Sequence, residues 1–209
     1  MEHERLDPGH TALLFFDMLN GYIKEEGAVV RERYRPVIDA ATRLLDAARA
    51  SSMMVVYASA NHRTDNATSV ATIRDTDNRL RPIATGDSQA SKPMITGRTW
   101  GAQIVDELKP IESDYLIPKY RWSAFYQTSL ELALRTRGVD TIVIAGGSTD
   151  VGVASTAYAA RDMDFNLVVV SDACTSPEED NHRQFMQRVF PRMARVRTSA
   201  EVVTMLQSG

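Results

Sequence analysis

The chain has 209 residues, 44% of them hydrophobic and 24% charged, with a net charge of −3 and one cysteine. That length and balance suit a single globular domain over residues 1–209 with a sizeable core, and exclude disordered, collagen-like and low-complexity chains. The charge offers no basic field to nucleic acid or an anionic membrane surface, and a lone cysteine excludes a disulfide framework or a Cys-rich zinc site. The longest apolar runs are about seven residues against the roughly 20 that a bilayer span needs, and the start of the chain is polar, so the expected location is the cytoplasm.

Apolar runs and amphipathic segments then alternate. Thr11-Ala-Leu-Leu-Phe-Phe-Asp-Met18 is a continuous apolar run that stops at an acid, the pattern of a strand buried on both faces. From Glu32 to Ala50 the apolar positions recur at helical spacing, with Pro36 in the first turn where its missing N–H does no harm. Met53 to Ser59 reads as a second buried strand. Residues 60–96 are polar, carry Pro82, Gly86 and Pro93, and show no periodicity, as expected of a lid or an interface insertion. Thr99 to Leu108 is predicted to be a short helix and Tyr115 to Lys119 a strand.

A helix is predicted from Ser129 to Arg137, stopped by Gly138, and a strand from Thr141 to Ala145 ending in Gly146-Gly147. Further helices are predicted over Val151 to Arg161, Glu178 to Phe190 and Ala200 to Leu206. Strands are predicted over Leu167 to Asp172 and, at an edge, Ala194 to Thr198. Six strands alternating with helices imply a three-layer α/β/α domain with a mostly parallel sheet of Rossmann-like topology. Such sheets bind ligands beyond the carboxyl ends of their strands, which here carry Asp17, Ser59 to His62, Lys119, Gly146 to Gly152 and Asp172 to Ser176.

Common signatures are missing: no dinucleotide or phosphate-cradling glycine loop, no His-Glu-x-x-His, no nucleophile elbow. Asn66-Ala67-Thr68 is a chance match to a glycosylation sequon. Asp17 is either a carboxylate capping a turn or an acid or base at the ligand-binding edge, and Lys119 either a surface lysine or its partner in a cleft. Cys174 has no flanking base and reads as a small buried thiol. His3 and His10 are N-terminal and expected to be exposed, whereas His62 follows the second strand and is placed to line the cleft. His3, His10, His62 and His182 have no metal-ligand spacing, so no metal site is expected.

Five segments, in order, carry a family resemblance. Leu14-Phe-Phe-Asp17-Met-Leu-Asn20 resembles the opening of the isochorismatase-like hydrolases, also called the cysteine hydrolase superfamily. Thr99 to Leu108 resembles the helix before that family's lysine, and Ile117-Pro-Lys119-Tyr-Arg-Trp-Ser-Ala-Phe125 the lysine motif itself. Leu134 to Gly146 resembles the segment leading to the nucleophile, and Val170 to Ser176 the next strand end. The resemblance covers residues 11 to about 205 and implies the family's fold, a small-molecule substrate, no cofactor, and a homodimer or homotetramer.

The family's triad is Asp, Lys and Cys. The resemblance puts Asp17 and Lys119 at the first two positions, and Gly152 where amidase members have the nucleophile. Cys174 lies 22 positions later and matches a different family position. Without sulfur there is no covalent intermediate, and Gly152 is expected to leave an open volume for water or part of a substrate. Isochorismatases proper also carry glycine there and hydrolyse a vinyl ether with the Asp as general acid. They usually have His two residues before it, however, where this chain has Asp150 in Thr149-Asp150-Val151, closer to the amidase branch. Three readings stay open: a thiol-independent hydrolase, an amidase whose nucleophile has been replaced by Gly152, and a non-catalytic small-molecule-binding pseudoenzyme.

By the same match, the peptide bond Gly147–Ser148 is expected to be cis, and the backbone of Val151 and Gly152 to offer an anion hole. Asn20, His62, Trp100, Tyr120 and Phe125 are candidate pocket walls, Trp100 and Phe125 also being plain core candidates. Arg63, Arg74, Arg79 and Arg81 lie in the long insertion, where one could meet an anionic substrate while most are solvated surface.

Overall fold

A computed structural model describes residues 5–25, 29–65, 67–68 and 95–207. Most of the 60–96 insertion, with Arg74, Arg79 and Arg81, lies outside the described residues, as do His3 and Asn66. Six strands form one sheet in the order β3-β2-β1-β4-β5-β6, every pairing parallel. They are β1 (Thr11–Phe16), β2 (Met54–Ala60), β3 (Tyr115–Lys119), β4 (Thr141–Gly147), β5 (Asn166–Thr175) and β6 (Arg195–Arg197). β1 is buried at every residue, as a central parallel strand with both faces covered must be.

Alternation along β1 assigns the layers. Leu13 and Phe15 face one core, with Ile38, Leu44 and Leu45 of α2 (Arg35–Ala50) and Val202 of α6 (Ser199–Gln207). Leu14 and Phe16 face the other, with Leu130 and Leu134 of α3 (Leu130–Thr136) and Ala154, Ala157 and Ala160 of α4 (Ala154–Asp162). The chain is therefore the expected three-layer α/β/α domain. Two shorter helices, α1 (Asn20–Ile23) and α5 (Glu179–Gln184), flank the carboxyl edge of the sheet.

Some expectations need correction. Residues 99–108 do not form a continuous helix: Trp100–Ala102 and Asp106–Leu108 are separate 3₁₀ turns. Tertiary pairing wins over local propensity there, because Ile104 forms an antiparallel bridge with Leu19 and the Val105 N–H donates to the Met18 carbonyl at 3.1 Å. The helix predicted from Val151 begins as one π-helical turn, Thr149–Val153, and becomes α-helical at Ala154. The helix predicted over 178–190 is α-helical only to Gln184, then runs through a π turn, Phe185–Val189, and a 3₁₀ turn, Phe190–Arg192, that contains Pro191.

The strand order reverses between β1 and β4. The chain winds outward from β1 to β3 on one side and from β4 to β6 on the other. The carboxyl edge beside β1 and β4 is thus the switch point where open α/β sheets take ligands, and it holds Asp17 and the loop from Gly146 to Val153.

Candidate active site

Asp17 follows the last residue of β1 with φ of 51°, a left-handed conformation that aspartate tolerates better than most residues. Its N–H donates to the Ala58 carbonyl at 3.0 Å, which leans the chain onto β2. Its Oδ1 then accepts the Ala60 N–H at 2.7 Å. Ala60 is in register with Lys119 at the end of β3, so strand pairing alone sets Lys119 beside Asp17. The Lys119 ammonium donates to Asp17 Oδ2 at 2.7 Å, with 5% of the lysine side chain and 9% of the aspartate side chain exposed. A buried pair with both partners hydrogen-bonded is costly to break from one side only.

Lys119 also lies 4.1 Å from the centroid of the Phe16 ring, a cation–π contact. Alternation explains it: Ile117, two residues before Lys119, shares with Phe16 the core facing α3 and α4, so the lysine stem runs along that face. Phe16 is buried, as is Gly152 in the first turn leading to α4. A carbon added at Gly152 would stand 2.2 Å from Phe16 Cε1 and 2.4 Å from Cζ. The open volume expected at Gly152 is therefore absent, because the Phe16 ring fills it.

The Gly147–Ser148 peptide is cis. The turn that follows is tied down by side chains. Asp150 accepts hydrogen bonds from the hydroxyls of Ser148 and Ser176, the latter at 2.6 Å, and from Asn181 Nδ2 at 2.7 Å. Burial works against its charge, but these three donors hold its carboxyl below the ordinary range. Thr149 Oγ1 meets His182 Nδ1 at 2.9 Å, and burial keeps that imidazole below its usual pKa. The Val153 N–H donates to the Ser148 carbonyl at 3.0 Å. The Val151 N–H points to the same carbonyl at 3.4 Å, a long bond.

Among the candidate walls, His62 and Tyr120 come together near the pair. Their rings meet edge to face at 6.1 Å, and burial lowers the His62 pKa, with the Lys119 charge adding to that and the Asp17 charge opposing it. Asn20 is buried; its Nδ2 donates to the Trp100 carbonyl at 3.2 Å, while its Oδ1 has no partner among the described residues. The Trp100 side chain is exposed. Phe125 is buried in the core, stacked on Phe165 at 5.9 Å, as its core reading has it. Arg63 is engaged by its neighbour Asp65 rather than turned toward the pair. Cys174 is buried, its thiol pushed up to about 12 by desolvation, which suits the inert structural thiol expected of it.

Phe16, Tyr22 and Asn181 were not singled out by the sequence, Ser176 was placed only at a strand's carboxyl end, and His182 was weighed only as a metal ligand. Tyr22 is held above its ordinary pKa by burial and, next, by the charge of Asp17. Phe16 had one legible signal: it precedes Asp17 and, by alternation, shares a face with the helix that follows Gly152.

Comparison with known proteins agrees with this fold. The isochorismatase domain model matches residues 11–201. YecD of Escherichia coli O157:H7, an uncharacterized isochorismatase family protein, is 47% identical over 95 residues, covering 46% of this chain and only half of YecD. Ureidoacrylate amidohydrolase RutB of Rhizobium rhizogenes is 31% identical over 188 residues, 80% of this chain and 71% of RutB. An Arabidopsis thaliana protein named probable inactive nicotinamidase is 34% identical over 181 residues, 83% of this chain and 84% of its own. Among solved structures, an isochorismatase family protein from Burkholderia thailandensis superimposes with a TM-score of 0.78 at 28% identity, over 97% of this chain and 98% of that one.

Proposed function

The chain belongs to the isochorismatase family, and from that premise we propose that it hydrolyses a small molecule by direct attack of water, with Asp17 and Lys119 as its catalytic pair. The observation that carries this reading is the buried Asp17–Lys119 pair at the sheet's switch point, beside a turn whose nucleophile position is a glycine backed by a phenylalanine ring. A site without a thiol must use proton transfer and electrostatics instead of a covalent adduct.

Vinyl-ether hydrolysis fits these groups. The proton held between Lys119 and Asp17 passes through Asp17 to the terminal alkene carbon, water captures the oxocarbenium carbon that results, and the proton that this water loses returns to the pair. The hemiketal then collapses to a carbonyl compound and an alcohol. Lys119 and the Ala60 N–H hold the carboxylate left after proton transfer. The Val151 N–H and the backbone at Gly152 are assigned to an anionic group of the substrate, with Gly147 and Ser148 shaping the turn that presents them. Asn20, His62, Tyr120 and the Trp100 backbone are assigned to the rest of the pocket. The route uses these side chains and water, with no cofactor.

Hydrolysis of a C–N bond is the second reading, favoured by the likeness to a ureidoacrylate amidohydrolase. In its usual form it needs a thiol at position 152, where the Phe16 ring leaves no space. Small-molecule binding without turnover is the third, in keeping with the likeness to a protein named as an inactive nicotinamidase.

The test is pyruvate release from isochorismate by the wild type and by Asp17→Asn. Asparagine suits the positive φ at position 17, so the variant keeps the local backbone. The expected result is release by the wild type and a loss of roughly 100-fold or more in the variant. Absence of release from the wild type would remove isochorismate as substrate and turn attention to small amides and to ligand binding.

A further inference from the structure

The Phe16 ring touches two parts of the site that no bond connects. Its edge lies where a side chain at position 152 would stand, with contacts of 2.2 Å and 2.4 Å to a carbon placed there. Its face carries the Lys119 ammonium at 4.1 Å, and that ammonium is bonded to Asp17 at 2.7 Å. The ring, the lysine and the glycine are all buried, so the ring has no solvent to swing into. A side chain at 152 must displace the ring, and a displaced ring no longer offers the same face to the ammonium.

We propose that Phe16 and Gly152 are a mutually dependent pair, in which the Phe16 ring occupies the volume of a nucleophile side chain and positions Lys119 over its face. Phe16 is thereby the residue that commits the site to chemistry without a protein adduct. The packing half of this inference stands on contacts alone; the role toward Lys119 rests on the thiol-independent reading above. Glycine at 152 is on this account the residue the core is built around, and a cysteine there requires a second change to be housed.

The experiment compares the wild type with Gly152→Cys, Phe16→Val and the double variant. Thermal unfolding reads the packing. Overpacking by Gly152→Cys is expected to lower Tm by about 5 °C or more. In the double variant the smaller valine receives the new side chain, so its Tm lies above the sum of the single losses, the signature of coupled neighbours. Iodoacetamide then reads the site. The introduced thiol displaces iodide to form a thioether, releasing a proton, and peptide mass mapping separates it from Cys174. In the double variant it is expected to label at least tenfold faster than Cys174, whose thiol is buried and held at about 12. Should Gly152→Cys fail to fold, Gly152→Ala replaces it in the same cycle.

Additive Tm changes, or wild-type stability in Gly152→Cys alone, would overturn the pair. Phe16→Leu tests the positioning role, since leucine keeps apolar volume and removes the ring face. It is expected to lower kcat for pyruvate release about 2- to 30-fold with KM little changed, the range of a cation–π contact. Unchanged kcat would overturn the positioning role. Absence of pyruvate release from the wild type would fault the proposed reaction instead, and the stability cycle would still decide the pair.

Discussion

At the scale of single residues, the site is one buried ion pair whose partners come from strands two places apart in the sheet. Asp17 is supported from below by its own N–H on Ala58 and from the side by the Ala60 N–H, so both the backbone and the carboxylate are held by β2. Lys119 is held by Asp17 and by the Phe16 ring. Removing one charge from such a pair leaves the other buried without its counter-charge. Lys119→Met is therefore expected to destabilise the protein by about 3 kcal/mol or more, a fall in Tm of about 6 °C or more for a domain of this size. Thermal melts followed by circular dichroism measure it. A change below 2 °C would mean that water reaches the pair more freely than its burial implies.

At the scale of elements, the turn entering α4 is fastened to three other parts of the chain. Asp150 binds Ser176 after β5 and Asn181 in α5, Thr149 binds His182 in α5, and Thr156 joins the Gly152 carbonyl at 2.8 Å to the Ala124 N–H at 3.0 Å. The last link fixes the loop after Lys119 against the helix after Gly152. These fastenings carry a pH signature. Asp150 is held below the ordinary carboxylate range, so its share of stability is present above about pH 4 and is lost as the pH falls through its folded value. His182 is also held low, so its neutral form favours folding above about pH 6.5 and that share is lost as the pH falls below it. Asp150→Asn is thus expected to lower Tm at pH 7 and to lie closer to the wild type at pH 3. Paired melts at the two pH values measure this; an equal gap at both would show that Asp150 acts by its shape and not by its charge.

At the scale of the whole molecule, the parallel sheet with both faces covered brings the candidate residues Asp17, Lys119 and Gly152 to one edge, where the winding reverses between β1 and β4. Among the described residues no helix is long and apolar enough to cross a membrane. The resemblance to the family implies a dimer or tetramer, and Trp122, Tyr126 and Tyr158 stand exposed on the loop after Lys119 and on α4, surfaces that a second copy would cover. Sedimentation equilibrium is expected to return two or four times the 23.2 kDa chain mass. A mass of one chain would remove the interface role suggested for residues 60–96.

By itself the sequence determined the layer architecture, the strand order in time, and the two charged residues at strand ends. These are local properties: continuous apolar runs, helical spacing, and an abrupt acid or lysine where a run stops. It also marked Cys174 as inert, because a thiol without a flanking base in an apolar setting has nothing to ionise it. The tertiary structure alone decided what surrounds them. The 99–108 segment reads as a helix until its pairing with Leu19 and Met18 is known. Gly152 reads as an opening until the Phe16 ring, 136 positions earlier, is seen to occupy it. His182 has no legible role until Thr149 meets it. Each of these contacts joins positions far apart in the chain, and no periodicity within one segment records which distant side chain will fill a given space.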